Sequence, residues 1–193
     1  MLENLKKYHI ILASNSPRRR ELLAGLDIEY EVKVLPGIEE SYPDTLAAED
    51  IPQYISREKA AAYEAALQPD DLVITADTIV WTEGRVLGKP KDGEEAKAML
   101  CQLAGRTHQV ITGVTLLTKA MKRTFAVTSE VTFDALTEEE ISYYVERYRP
   151  LDKAGAYGIQ EWIGYVGVSA LHGSYFNVMG LPVQRLYKEL KTL

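Results

Sequence analysis

Ile10-Ile11-Leu12-Ala13-Ser14-Asn15-Ser16-Pro17-Arg18-Arg19-Arg20-Glu21-Leu22-Leu23 decides how the chain is read, because an apolar run passes through a short polar turn into helical spacing. Residues 10–13 read as a buried strand, and Leu22, Leu23 and Leu26 recur as on one helix face. Ser16 is a natural N-cap and Pro17 a natural first helical residue. The positions that follow should favour Asp or Glu, since a helix start carries partial positive charge and unpaired amides. Three arginines stand there instead, with Arg19 in the slot a capping box gives to Glu or Gln. An arginine run is the ordinary composition of a solvated face. Between a strand and a helix it also suits an anion seated on the helix start.

Working outward, strands and helices alternate, which predicts an α/β protein. Residues 30–35 read as a strand ended by Pro36 and Gly37, followed by an acidic loop through Pro43 and Asp44. An Ala-rich helix is expected over 51–67. Residues 72–82 form one long strand or a strand pair, turning at Glu83-Gly84. Asp92 caps a helix that runs to about 104 and closes at Gly105. Two long strands are expected over 110–117 and 124–133. Thr137-Glu138-Glu139-Glu140 is a capping box that opens a helix to about 148, so here the rule broken after Ser16 is obeyed. The glycine-dense stretch 155–173 contains a predicted strand at 165–168. Pro182 starts a terminal helix whose Val183, Leu186, Tyr187 and Leu190 form an apolar stripe read as core.

The 193 residues suit one domain, with 46% hydrophobic and 26% charged residues giving ample core material. A formal charge of −6 argues against a nucleic-acid coat while leaving room for a mobile anion at a local basic patch. Cys101 is the single cysteine, which excludes a disulfide framework and a cysteine-based zinc site and suits a reducing cytoplasm. The apolar stretch at the amino terminus is too short for a signal peptide, and no segment reaches membrane-spanning length. Neither a P-loop nor a Gly-x-Ser-x-Gly elbow is present, which weakens two common hydrolase classes.

Asp77 stands inside an otherwise apolar strand, where a carboxylate is costly unless paired, hydrogen-bonded or bound to metal. It reads either as a strand-end cap or as a metal ligand or base for water. A divalent cation that acidifies the water would help so weak a base. Lys89 in Gly88-Lys89-Pro90 is a compact charge able to reach a phosphate, or a plain loop lysine. Arg57 and Lys59 share that ambiguity. Glu39 and Glu40 are solvated acids or oxygen ligands for Mg²⁺. The loop Asp152-Lys153-Ala154-Gly155-Ala156-Tyr157-Gly158-Ile159-Gln160 reads either as a tight-packing turn or as backbone that approaches a ligand closely, its terminal carboxamide offering the donor and acceptor that would match the imide edge of uracil or thymine. His108 and His172 lack ligand spacing and read as structural.

Taken in order, Ser14-x-Ser16-Pro17-Arg18-Arg19, Ala76-Asp77-Thr78, Gly88-Lys89-Pro90, Thr112-Gly113, the loop 152–160 and Gly173-Ser174-Tyr175-Phe176-Asn177-Val178-Met179-Gly180-Leu181-Pro182 closely resemble the Maf family of nucleoside triphosphate pyrophosphatases. The resemblance spans nearly the whole chain. It implies an elongated mixed-sheet α/β fold related to the inosine-triphosphate pyrophosphatases (a Maf/Ham1 fold), with two lobes around a cleft within one domain, 1–193. It also implies hydrolysis of a nucleoside triphosphate to monophosphate and pyrophosphate with Mg²⁺ or Mn²⁺. By motif match Asp77 is the proton acceptor. Ser14, Arg18, Arg19, Lys59 and Lys89 are phosphate contacts, and Glu40 with Asp77 lies at the metal. Arg18, Thr78 and Gln160 occupy the positions that separate the family's branches and look like the dTTP/UTP branch. The chain departs from the family pattern after Gln160, with Glu161-Trp162-Ile163-Gly164 where many members place glycine and small residues. The expected partner is a nucleotide, with a homodimer as the candidate assembly and neither a nucleic-acid polymer nor a membrane. The rival readings are a non-catalytic nucleotide-binding regulator of cell division and a monophosphatase.

Overall fold

The computed structural model describes residues 2–193. After a 3₁₀ turn at Glu3–Lys7, the chain forms β1 (His9–Leu12), α1 (Pro17–Ala24), β2 (Glu31–Val32), α2 (Asp50–Ala61), β3 (Asp71–Thr82), β4 (Arg85–Leu87) and α3 (Gly93–Leu103). It continues with β5 (Thr107–Leu117), β6 (Lys122–Phe133), α4 (Glu138–Tyr148), α5 (Trp162–Gly167), β7 (Val168–His172), α6 (Tyr175–Met179) and α7 (Val183–Leu190). The strands make one mixed sheet in the order β2-β1-β3-β5-β6-β7, with β4 paired to β3. β1 runs parallel to β2 and β3, whereas β3 with β4 and β6 with β7 are antiparallel. This is the α/β class that the alternation of elements predicts, with the mixed sheet that the family resemblance implies.

The chain folds into two compact units. The first comprises residues 1–77, 112–127 and 180–193, and the second 78–111 and 128–179. In the first, Ile11 and Ala13 pack with Ala60, Tyr63, Leu67, Val73 and Leu117. In the second, α3 and α4 pack together, and Leu100, Leu103, Phe133, Ile141, Tyr144 and Ile163 are all but completely buried. Fully burying one such aliphatic or aromatic side chain contributes about 1.5–3 kcal/mol, which is why these faces and not the exposed ones hold the elements in place.

Most predicted elements stand. Ser16 accepts from the Arg19 amide with Pro17 at the first helical position, Asp92 accepts from the Glu95 amide, and the Thr137–Glu140 capping box is complete. The terminal helix buries Val183, Leu186 and Leu190, with Tyr187 half-buried. Three readings need correction. The strand expected over 30–35 shrinks to Glu31–Val32, because the Tyr63 hydroxyl accepts from the Leu35 amide and donates to the Lys33 carbonyl. The helix expected over 51–67 ends at Ala61 and tightens into a 3₁₀ turn at Glu64–Ala66. The strand expected at 165–168 is displaced: α5 runs through Gly167, so 165–167 are helical and the strand begins at Val168.

His108 is buried within the second unit, its Nε2 2.7 Å from the Tyr157 hydroxyl and its ring against Phe133. Burial lowers its pKa to about 4. The unfolded state therefore takes up a proton first as pH falls, so this contribution is complete above pH 6.5 and is lost as pH drops through about 4. Its full loss amounts to about 3 kcal/mol. His9 has the opposite sign, since its hydrogen bond to Asp71 raises its pKa and stabilises the protonated form, but that side chain is 47% exposed and solvent weakens the effect. Denaturant unfolding at pH 7 and at pH 4.5 should show a fall in stability, and His108→Gln should flatten it. An equal slope in that variant would remove His108 as the cause.

Candidate functional site

The apolar strand β3 brings Asp77 to the edge of the first unit with a side chain only 12% exposed. A carboxylate so desolvated requires a partner. Lys59 on α2 supplies it: its ammonium, 13% exposed, donates to Asp77 Oδ1 at 2.8 Å and also lies 2.8 Å from Glu40 Oε1. One lysine thus gathers two carboxylates, a buried one on a strand and an exposed one on the loop after β2.

Lys59 is placed by one face of α2, on which residues 52, 56 and 59 follow each other at helical spacing. Pro52 lies over Gly113 of β5, where a Cβ would sit 2.3 Å from the Pro52 carbonyl carbon. Ser56 Oγ shares a 2.9 Å hydrogen bond with Thr115 Oγ1, and Thr75 Oγ1 donates to the Ser56 carbonyl at 2.7 Å. Ser56, Thr75 and Thr115 are all fully buried. This close contact and hydroxyl network set the helix against β3 and β5, so that Lys59 arrives beside Asp77.

The arginines after Ser16 divide by role. Ser14 is buried, and its Oγ accepts from the Ser16 amide at 3.2 Å. Arg19 donates from Nε to the Gly180 carbonyl at 2.8 Å and from Nη1 to the Ala76 carbonyl at 2.9 Å, with Ser14 Oγ 3.5 Å away. Desolvation lowers its pKa below the usual arginine value, against the pull of the Asp77 carboxylate. Arg19 therefore ties the Ser-Pro turn to the peptide immediately before Asp77. Arg18 is half-buried and close enough to oppose the Arg19 charge. Replacing Arg19 with Lys leaves carbonyls without their guanidinium donors and should cost about 1–3 kcal/mol, read as a lower denaturation midpoint.

Ser14, Arg18, Arg19, Glu40, Lys59 and Asp77 belong to the first unit, and Thr78, Lys89 and Gln160 to the second. Thr78 is half-buried on β3, and Lys89 is exposed in the loop between β4 and α3, where the neighbouring Gly88 carbonyl accepts from the Gly155 amide at 3.1 Å. Gln160 has a buried Oε1 that accepts no hydrogen bond from any described residue. Sequence reasoning missed Ser56, Thr75 and Thr115, whose hydroxyls are common strand and helix residues there, and Gly180, whose contribution is a carbonyl. Arg57, weighed beside Lys59, is half-buried on α2.

Among the described residues no three His, Cys, Asp or Glu side chains cluster as a metal site. Glu40 and Asp77, gathered on one ammonium, are hard oxygen donors. Mg²⁺ commonly takes one or two protein carboxylates and completes its shell with water and phosphate oxygens, and these two residues fit that pattern. Among the described residues no helix is long and apolar enough to cross a membrane.

The structure is similar to a HAM1 protein from Coxiella burnetii at TM-score 0.46 and 15% identity, covering 96% of this chain and 100% of that one. A nucleoside-triphosphatase, described as a dITP/XTP pyrophosphatase, from Mycobacterium abscessus gives TM-score 0.40 at 18% identity, over 66% of this chain and 75% of the other. Sequence relatives extend over the full length. A protein of Phocaeicola vulgatus named dTTP/UTP pyrophosphatase is 66% identical over 100% of both chains. One of Bacteroides thetaiotaomicron with the same name is 60% identical over the same span, and one of Flavobacterium johnsoniae is 46% identical over 99% of this chain and 98% of its own. The sequence pattern of the family described as Maf-like protein matches residues 9–193. The Ser-Pro-Arg-Arg turn and the strand carrying Asp77 thus sit within a pattern that runs almost from end to end, and the chain belongs to the Maf family.

Proposed function

We propose that the protein hydrolyses dTTP and UTP to the monophosphate and pyrophosphate. The observation that carries the reading is the buried Asp77, held with Glu40 on Lys59 beside the basic helix start, in a chain 66% identical over its whole length to a protein named dTTP/UTP pyrophosphatase. Water attacks the α-phosphorus as its proton passes to Asp77. The new bond joins water oxygen to phosphorus, the α–β bridge breaks, and its electron pair leaves with pyrophosphate. Arg18, Lys59 and Lys89 offset charge on the phosphate oxygens, usually the largest contribution to such a reaction. Ser14 and Arg19 join them as phosphate contacts and also hold the turn and the Ala76 peptide, so that Asp77 keeps its place. Glu40 and Asp77 would hold a divalent cation, which when bound acidifies water and neutralises phosphate charge. Gln160 meets the pyrimidine's imide edge, its unpartnered Oε1 accepting the ring N–H. Thr78 and Arg18 complete the residues assigned to substrate choice. Cys101, an exposed free thiol, supports a cytoplasmic setting.

The test is direct. Purified protein is incubated with Mg²⁺ or Mn²⁺ and a nucleotide panel, and pyrophosphate, orthophosphate and monophosphate are quantified. dTTP and UTP should lead with pyrophosphate as product. Release of orthophosphate, or preference for 7-methyl-GTP, overturns the reading, and retention of nucleotide without turnover would favour the regulator instead.

A further inference from the structure

The structure gives the residues that follow Gln160 a use. Glu161 Oε2 accepts from the hydroxyl of Tyr144 on α4, and Glu161 Oε1 lies 3.2 Å from the ammonium of Lys153. Lys153 is buried and Tyr144 wholly so, while the Glu161 side chain is 20% exposed. The Tyr144 hydroxyl also accepts from the Gly158 amide at 3.0 Å, so one oxygen is fixed at once to the middle of the loop and to its end. Burial first, then the hydrogen bond to Glu161, push the Tyr144 pKa far above its ordinary value and keep the hydroxyl a donor.

Gly158 completes the fit. A Cβ there would lie 3.0 Å from Glu161 Cδ and 3.1 Å from Lys153 Cε, so the ion pair packs on bare backbone. The Glu161 amide donates back to the Gly158 carbonyl at 3.0 Å. Trp162 is pinned separately, its ring 4.9 Å from that of Tyr143 and inclined at 68°. Adjacent residues of α4 thus hold adjacent residues of the loop end. Lys153 and Glu161 close a segment whose backbone is left-handed at Gly155, as glycine freely allows, and at Ala156, where a side chain makes it strained.

We propose that Glu161, with Lys153 and Tyr144, is a positioning clamp that fixes the Gln160 carboxamide for the base, so that pyrimidine preference depends on the clamp as well as on Gln160. The inference rests on the reading above that Gln160 meets the imide edge. A carboxamide on a loose loop would spend binding energy on becoming ordered, whereas a held one presents its acceptor at once.

Steady-state kinetics of the wild type, E161Q, Q160A and the double variant test the proposal, with dTTP, UTP and 7-methyl-GTP as substrates and thermal melts as the check on folding. E161Q keeps the shape and the acceptor for Tyr144 but weakens the pair with Lys153. It should raise KM for dTTP and UTP about tenfold, leave kcat within about twofold, and narrow discrimination against 7-methyl-GTP. In the Q160A background the same change should add less than about twofold, because the group it positions is gone. Y144F, which keeps the ring and loses the hydroxyl, is the second variant and should shift KM in the same direction. Unchanged KM and selectivity in both E161Q and Y144F overturn the clamp, as does a full E161Q effect in the Q160A background, which would mark a merely structural role. A wild type that prefers a substrate other than dTTP or UTP overturns the substrate reading, and this assignment with it, before any variant is compared.

Discussion

Asp77→Asn should lower pyrophosphate release by about 10²–10⁴-fold, the usual contribution of a positioned general base, while the protein stays folded. The two halves of that expectation have separate causes. The variant keeps an oxygen that can accept from Lys59, and Glu40 still lies 2.8 Å from the same ammonium, so the buried lysine is not stranded. Without that second acid, removing one member of a buried pair would be expected to cost about 3–5 kcal/mol. The amide has neither the basicity to take a proton from water nor the charge to hold a cation, so activity falls far more than stability. Pyrophosphate release measured beside a denaturation midpoint separates the two. Wild-type turnover by D77N would remove Asp77 from the chemistry, and a large loss of stability would show that Glu40 does not compensate.

How much of this was legible from residues alone depended on whether the cause was local. Ser16 with Pro17, Asp92, and Thr137 with Glu140 act within a single turn, and each cap stands where the sequence places it. Asp77 was conspicuous because an ionisable side chain interrupts the seven apolar residues that dominate 72–81, a signal that needs no partner to be seen. Lys59 and Glu40 carried no such mark. A helix lysine and a loop glutamate are ordinary surface residues, and only the family motif singled them out before the fold brought them to one carboxylate. The glycines misled at α5. Tyr165, Val166 and Val168 suggest a strand, yet the turn at Gly164 is helical and lies so close to the preceding loop that a Cβ would sit 1.7 Å from the Ile159 carbonyl oxygen. Tertiary contact overrode β-propensity there. Arg19 shows the same limit from the other side. Its charge was legible, but the Gly180 and Ala76 carbonyls that its guanidinium also serves come from distant parts of the chain and leave no local mark.

Gly113→Ala should give the largest loss of stability, several kcal/mol, and carry activity down with it. The added methyl would lie 2.3 Å from the Pro52 carbonyl carbon, 2.4 Å from its oxygen and 2.5 Å from the Gln53 amide nitrogen. These are backbone atoms of α2 and cannot swing aside as the tip of a long side chain can. Overpacking of this kind typically costs about 1–3 kcal/mol and more where the obstacle is rigid. The helix has two ways to respond. If it lifts from β5, the 2.9 Å bond between Ser56 and Thr115 and the 2.7 Å bond from Thr75 stretch, leaving buried hydroxyls partly unsatisfied at about 1–3 kcal/mol each. If it pivots about those hydroxyls, Lys59, one turn further on the same face, moves relative to Asp77 and Glu40. Either response disturbs the ammonium that gathers the two carboxylates, so residual folded protein should also turn over more slowly than its concentration predicts. Gly93→Ala is the control, since a methyl there meets only Val145 Cγ1 at an ordinary 3.6 Å. Denaturation midpoints and activity per folded molecule, measured for both variants, decide the matter: a G113A protein as stable and active as G93A would mean that α2 is not held against β5 by this contact.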